Sequence, residues 1–172
     1  MKCINLIIGA LAIAVAGASF ANDQWYLGAT ASYYDLDSDR SKYSDKKAAN
    51  AGVQVGKYIS DDIAIELGYG VHIGYDEFAV SSLNALVWLD DDTTGWRPYL
   101  LGGFNQYEFE KARTLVPGHG AKSDQLMFAL GMGRELDNDM EFRADIRGMV
   151  SIDGNDAQDY GFQISYSKLF NK

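Results

Sequence analysis

From Trp25 onward the chain repeats a single unit, a run of roughly ten or more residues alternating in character with period two and closed by a polar turn. Successive side chains of an extended backbone point to opposite sides, so this period excludes helices and requires strands with two chemically different faces. Eight such runs can be read: 25–34, 50–59, 63–73, 78–89, 96–109, 123–136, 140–151 and 158–170. Three of the connections are short and rich in Asp: Ser60-Asp61-Asp62, the stretch 90–95 and Asp137-Asn138-Asp139. They suit tight reversals between antiparallel strands. The other four vary in length. The expected fold is all-β: an eight-stranded antiparallel up-and-down β-barrel.

Which face is apolar decides the solvent. In the last run Tyr160, Phe162, Ile164, Tyr166 and Phe170 oppose Gly161, Gln163, Ser165 and Ser167. In the third, Ile63, Ile65, Leu67, Tyr69, Val71 and Ile73 oppose Ala64, Glu66, Gly68, Gly70 and His72, and in the seventh Phe142, Ala144 and Ile146 oppose Arg143, Asp145 and Arg147. A water-soluble barrel would bury one of these faces. Burying the polar one would sequester Glu66, Arg143, Asp145 and Arg147, and burying the apolar one would leave small residues and charges as the whole exterior. A barrel with its apolar face in lipid and its polar face in the lumen fits both. The fourth and fifth runs alternate less cleanly, and their faces cannot be assigned from pattern. Trp25, Tyr33, Tyr69, Trp88, Trp96, Tyr99 and Tyr166 fall near run ends, where membrane barrels carry interfacial girdles.

The first 21 residues give the route. Lys2, the apolar run from Leu6 to Val15 and the small-residue site Ser19-Phe20-Ala21 have the form of a cleaved secretory signal. Residues 1–21 are therefore expected to be a signal peptide, and 22–172 the barrel domain. Cleavage would remove Cys3, the only cysteine, and would leave 14 Lys and Arg against 24 Asp and Glu, a formal charge of −10. That balance argues against nucleic acid as a partner.

Several segments resemble the barrel of the OmpA family: Trp25-Tyr26-Leu27-Gly28-Ala29, Val55-Gly56-Lys57-Tyr58 followed by Ala64-Ile65-Glu66-Leu67-Gly68-Tyr69, Arg97-Pro98-Tyr99-Leu100 with Gly102-Gly103-Phe104, and Arg143-Ala144-Asp145-Ile146-Arg147. The resemblance implies an eight-stranded outer-membrane barrel with both termini in the periplasm, inserted by the barrel-insertion machinery. It also implies an interior ion pair between Glu66 and Arg143 that helps to block the lumen. Gly133 stands where the family has a second carboxylate, and Asp145 and Arg147 are candidate substitute partners. The family's terminal aromatic insertion signal falls on Phe170, with Tyr166 before it, although Asn171 and Lys172 follow.

Basic residues gather in two of the longer connections: Arg40, Lys42, Lys46 and Lys47 in the first, and Lys111, Arg113 and Lys122 in the third. The three short turns carry seven Asp and no Lys or Arg. Short turns face the periplasm in such barrels. The basic groups would then face outward, where lipopolysaccharide phosphates could accept charge-assisted hydrogen bonds. Catalysis is not expected. His72 and His119 lack the closely spaced His and Ser on one strand that a barrel lipid deacylase would need. The Asp35-Leu36-Asp37-Ser38-Asp39 run has Arg40 where a calcium loop needs Gly, and Lys46 where it needs Glu. No metal or cofactor is expected. The expected protein is a monomeric envelope barrel, a narrow pore or surface-contact module at most. A lipid-modifying outer-membrane enzyme and a soluble periplasmic ligand-binding barrel are the alternatives.

Overall fold

The structure is a computed structural model that describes residues 24–36, 47–73, 78–91, 94–109, 122–152 and 158–171. Eight strands follow in order: β1 (Trp25–Asp35), β2 (Lys47–Tyr58), β3 (Ile63–His72), β4 (Phe78–Trp88), β5 (Arg97–Phe109), β6 (Lys122–Leu136), β7 (Met140–Ser151) and β8 (Gln158–Phe170). Each pairs antiparallel with its neighbours in sequence, and β8 closes onto β1, so the sheet is a closed barrel. Closure leaves no strand edge unpaired, as a lipid solvent requires. The strands run from 10 to 15 residues, enough to span the hydrocarbon with a tilt, for which about 9–11 suffice.

The largest departure from the expected limits is at β2, which starts at Lys47 rather than Asn50. The β1–β2 register simply continues outward, Tyr33 to Ala49, Tyr34 to Ala48 and Asp35 to Lys47. Backbone pairing there outruns the change in composition. At the other end the turns are tight. Leu136 pairs with Met140 across Asp137-Asn138-Asp139, and Asn138 and Asp139 have φ of 63° and 57°. Asn and Asp tolerate this left-handed region better than other non-glycine residues. In the β2–β3 turn the Ile63 amide donates to Ser60 Oγ at 3.2 Å.

Parity sorts the side chains. Leu27, Val53, Leu100, Phe128 and Ile146 point outward, the last two 65% exposed each. In water such a girdle would be an aggregation surface, whereas in a membrane it is the solvated face. Inward lie Tyr26, Glu66, Arg143, Asp145, Arg147 and Ser167, all buried. The two strands without a legible pattern are settled by closure. Leu86 and Trp88 of β4, and Tyr99 and Leu101 of β5, are buried in the lumen together with Asn84, Arg97 and Asn105. Trp88 and Tyr99 therefore do not belong to the interfacial girdle expected of them: they share strand parity with inward neighbours. Trp25, Tyr33, Trp96 and Tyr166 do face outward.

Candidate functional site: a plug of paired charges in the lumen

Toward the short-turn end, Arg143 is buried in the lumen. Its Nη2 lies 2.5 Å from Glu66 Oε1 on β3, with both side chains buried. Its Nε lies 3.2 Å from Glu141 Oε1, close enough to pair as ions but not aligned as a hydrogen bond. Asp145 and Arg147 stay out of this cluster and bond one another, Arg147 Nε donating to Asp145 Oδ1 at 2.7 Å. Residues two apart on a strand share a face, so β7 supplies Glu141, Arg143, Asp145 and Arg147 as one inward column.

Three tyrosines complete the arrangement, one for each carboxylate. The Tyr26 hydroxyl donates to Glu66 Oε1, Tyr58 to Glu141 Oε2 at 3.0 Å, and Tyr99 to Asp145 Oδ2 at 2.9 Å. Tyr58 in turn accepts from Trp88 Nε1 at 3.1 Å. The Arg143 guanidinium also stands 5.3 Å from the Tyr26 ring centroid and 5.7 Å from that of Tyr99, where ring quadrupoles favour a cation. Two guanidiniums thus answer three carboxylates, and the hydroxyls supply the remaining donors. Buried charge is tolerated on those terms. Below this layer Arg97 lies 4.5 Å over the Trp88 ring and donates to the Asp90 carbonyl at 2.6 Å, covering the mouth.

Small residues make the room. A Cβ at Gly133 would lie 2.6 Å from Trp88 Cη2 and 2.7 Å from Arg143 Cγ, so the space beside Gly133 is filled by those two side chains. At Gly56 a Cβ would meet the Tyr26 ring at 2.1 Å.

Toward the other end the lumen changes character. A cavity of about 30 Å³ is bordered by Thr30, Asn50, Gln54, Ser82, Asn84 and Asn105, with the β3 glycines Gly68 and Gly70 forming part of its wall. Both amide atoms of Asn50 and of Asn105, and Oδ1 of Asn84, are buried without a protein hydrogen-bond partner. The volume has room for about two water molecules among these polar groups.

Of the basic residues expected to face lipopolysaccharide, Lys47 is exposed in register with Asp35, and Lys122 bonds Glu108 at 3.2 Å. Arg40, Lys42, Lys46, Lys111 and Arg113 lie outside the described residues, as do His119 and residues 1–21. Phe170 stacks on Trp25 at 4.4 Å, and Tyr166 is exposed on the outer wall. Sequence reading missed Glu141, the three tyrosines and the asparagines. The only available signal was inward parity next to the charged column.

The family model described as "Outer membrane protein beta-barrel domain" matches residues 6–170, almost the whole chain. The chain belongs to that family of outer-membrane β-barrels. Its location is the outer membrane, and the OmpA-type resemblance of its motifs agrees with this membership. No curated protein matches it. Among solved structures, this outer-membrane barrel is similar to the N-terminal β-barrel domain of OprF from Pseudomonas aeruginosa, with a TM-score of 0.68, 14% identity, and 87% of this chain and 98% of that one covered. It is also similar to Neisserial surface protein A (TM-score 0.59, 14% identity, 84% and 96% covered). OprG from Pseudomonas aeruginosa gives a TM-score of 0.56 at 14% identity, with 89% and 98% covered. At these identities the likeness is one of fold.

Proposed function

We propose that this protein is a structural component of the outer membrane, a monomeric barrel whose lumen is closed by the Glu66–Arg143–Glu141 cluster rather than held open as a pore. The observation that carries this reading is that Glu66, Glu141 and, next to the cluster, Asp145 each have both a guanidinium and a tyrosine hydroxyl beside them, from five different strands in all. A lumen evolved for solute flow would leave such groups to water. Eight strands also enclose a space that side chains can fill. Solute passage is accordingly slow, and the role is that of an envelope element. In this reading residues 1–21 are removed after Ala21, and Tyr166 and Phe170 form the segment read by the insertion machinery. Lys47 and Lys122, with Arg40, Lys42, Lys46, Lys111 and Arg113 of the longer loops, contact lipopolysaccharide phosphates.

The deciding experiment is conductance of the purified monomer in planar bilayers. Small or rare current steps are expected, and a large, uniform open channel would contradict the closed-lumen reading. Phosphate-stripped lipopolysaccharide should bind less well than intact material, and substituting the loop cations should erase that difference.

A further inference from the structure

The outer wall carries a second charged feature, at the short-turn end. Arg134 points outward from β6 and is exposed. Across β7 it is level with Phe142, and Phe142 is level with Tyr166. Arg97 pairs with Gly133, so Trp96 falls level with Arg134 on the other side. One outward row therefore reads Trp96, Arg134, Phe142, Tyr166. The rings of Trp96, directly before β5, and Phe142 of β7, on either side of Arg134, meet edge to face at 6.0 Å.

A guanidinium on the lipid-facing side is tolerated only near an interface, and tryptophan and tyrosine settle at the same level. The row therefore marks the headgroup depth of the leaflet on the short-turn side. Phosphate is the anion at that depth, and a planar guanidinium matches it in a bidentate manner. The turn below offers carboxylates, yet none is bonded to Arg134. Asp139 pairs instead with Lys168, at 3.3 Å. Asp137, one residue beyond the end of β6, is exposed and has no partner among the described residues. A lone cation beside aromatics, with a lone carboxylate three residues on, is complementary to a headgroup that carries phosphate and ammonium together. An anionic headgroup would meet repulsion from the acidic turn, and a quaternary amine would have no N–H to donate to Asp137.

We propose that Arg134 with Trp96 and Phe142, together with Asp137, forms a binding site for a zwitterionic aminophospholipid of the periplasmic leaflet, phosphate on the guanidinium and primary ammonium on the carboxylate. The site lies outside the barrel and does not depend on whether the lumen conducts.

The test is native mass spectrometry of the folded full chain in detergent, titrated separately with phosphatidylethanolamine, phosphatidylcholine and phosphatidylglycerol of the same acyl chains. One ethanolamine lipid should be retained in preference to the other two. Arg134→Gln should weaken that retention about tenfold, the scale of a lost hydrogen bond between charged groups. Asp137→Asn should bring the ethanolamine lipid down to the level of the choline lipid. Heat-modifiable gel mobility verifies that each variant is a folded barrel. Undiminished ethanolamine-lipid binding by Arg134→Gln, equal or tighter binding of the glycerol lipid, or an unchanged preference in Asp137→Asn would each overturn the proposal.

Discussion

The two halves of the lumen are built from the same eight strands with the same inward parity, yet they bury their polar groups in different ways. Near the short turns Glu66, Glu141 and Asp145 are each met by a guanidinium and a tyrosine hydroxyl, and glycines at positions 56 and 133 let large side chains fill the space. Toward the long loops a cavity of about 30 Å³ is bordered largely by neutral amides, small hydroxyls and glycines, amide atoms of Asn50, Asn84 and Asn105 have no protein partner, and the buried Asp159 carboxylate accepts from the Gln125 amide at 2.5 Å. Charge that is removed from water needs partners with fixed geometry. A neutral amide can rely on mobile solvent, because its desolvation costs far less.

The strongest test of this contrast is Arg143→Ala, which strands Glu66 and Glu141. Breaking one side of a buried pair typically costs about 3–5 kcal/mol, with lumen water pulling the value toward the lower end. Unfolding by urea in lipid vesicles should register that loss. The Glu66→Ala, Arg143→Ala double variant should lose less than the sum of the single ones, and strict additivity would mean that the two do not interact.

A smaller effect separates the halves by packing alone. Gly133→Ala forces a Cβ to within 2.6 Å of Trp88 and should cost about 1–3 kcal/mol by overpacking. Gly70→Ala, whose nearest neighbour would be the Ala51 carbonyl at 3.5 Å, should leave the unfolding midpoint nearly unchanged. Equal losses at the two positions would erase the distinction between a filled and an open half.

The smallest expected change is at Asn105. If its amide is served by solvent in the cavity, Asn105→Leu exchanges one modest interaction for another and should shift stability by less than about 1 kcal/mol. A loss approaching that of Arg143→Ala would mean that the upper half is as tightly determined as the plug.

Much of the barrel was legible because its signal is local. Period-two alternation in β3, β7 and β8 needs no knowledge of neighbours, and Asp-rich turns announce reversals within a few residues. β4 and β5 resisted because Leu86, Trp88, Tyr99 and Leu101 are apolar yet face inward, so hydrophobicity no longer distinguishes lumen from lipid. Trp88 and Tyr99 were accordingly expected at the membrane interface, while they line the plug. Glu66 and Arg143 could be read as one pair through family resemblance. Glu141, directly after the β6–β7 turn, carried no such mark.

The sequence by itself determined the strand number, the faces of the cleanly alternating strands, the acidic short turns and the charged column of β7, since each follows from backbone geometry acting over neighbouring residues. Only the tertiary structure decided which hydroxyl serves which carboxylate. Tyr26 and Glu66 are 40 residues apart, Tyr99 and Asp145 46, and Tyr58 and Glu141 83. Those partners are set by the register of every strand pair around a closed ring. Closure is a property of the whole sheet, so the pairing inside it cannot be read from any one segment.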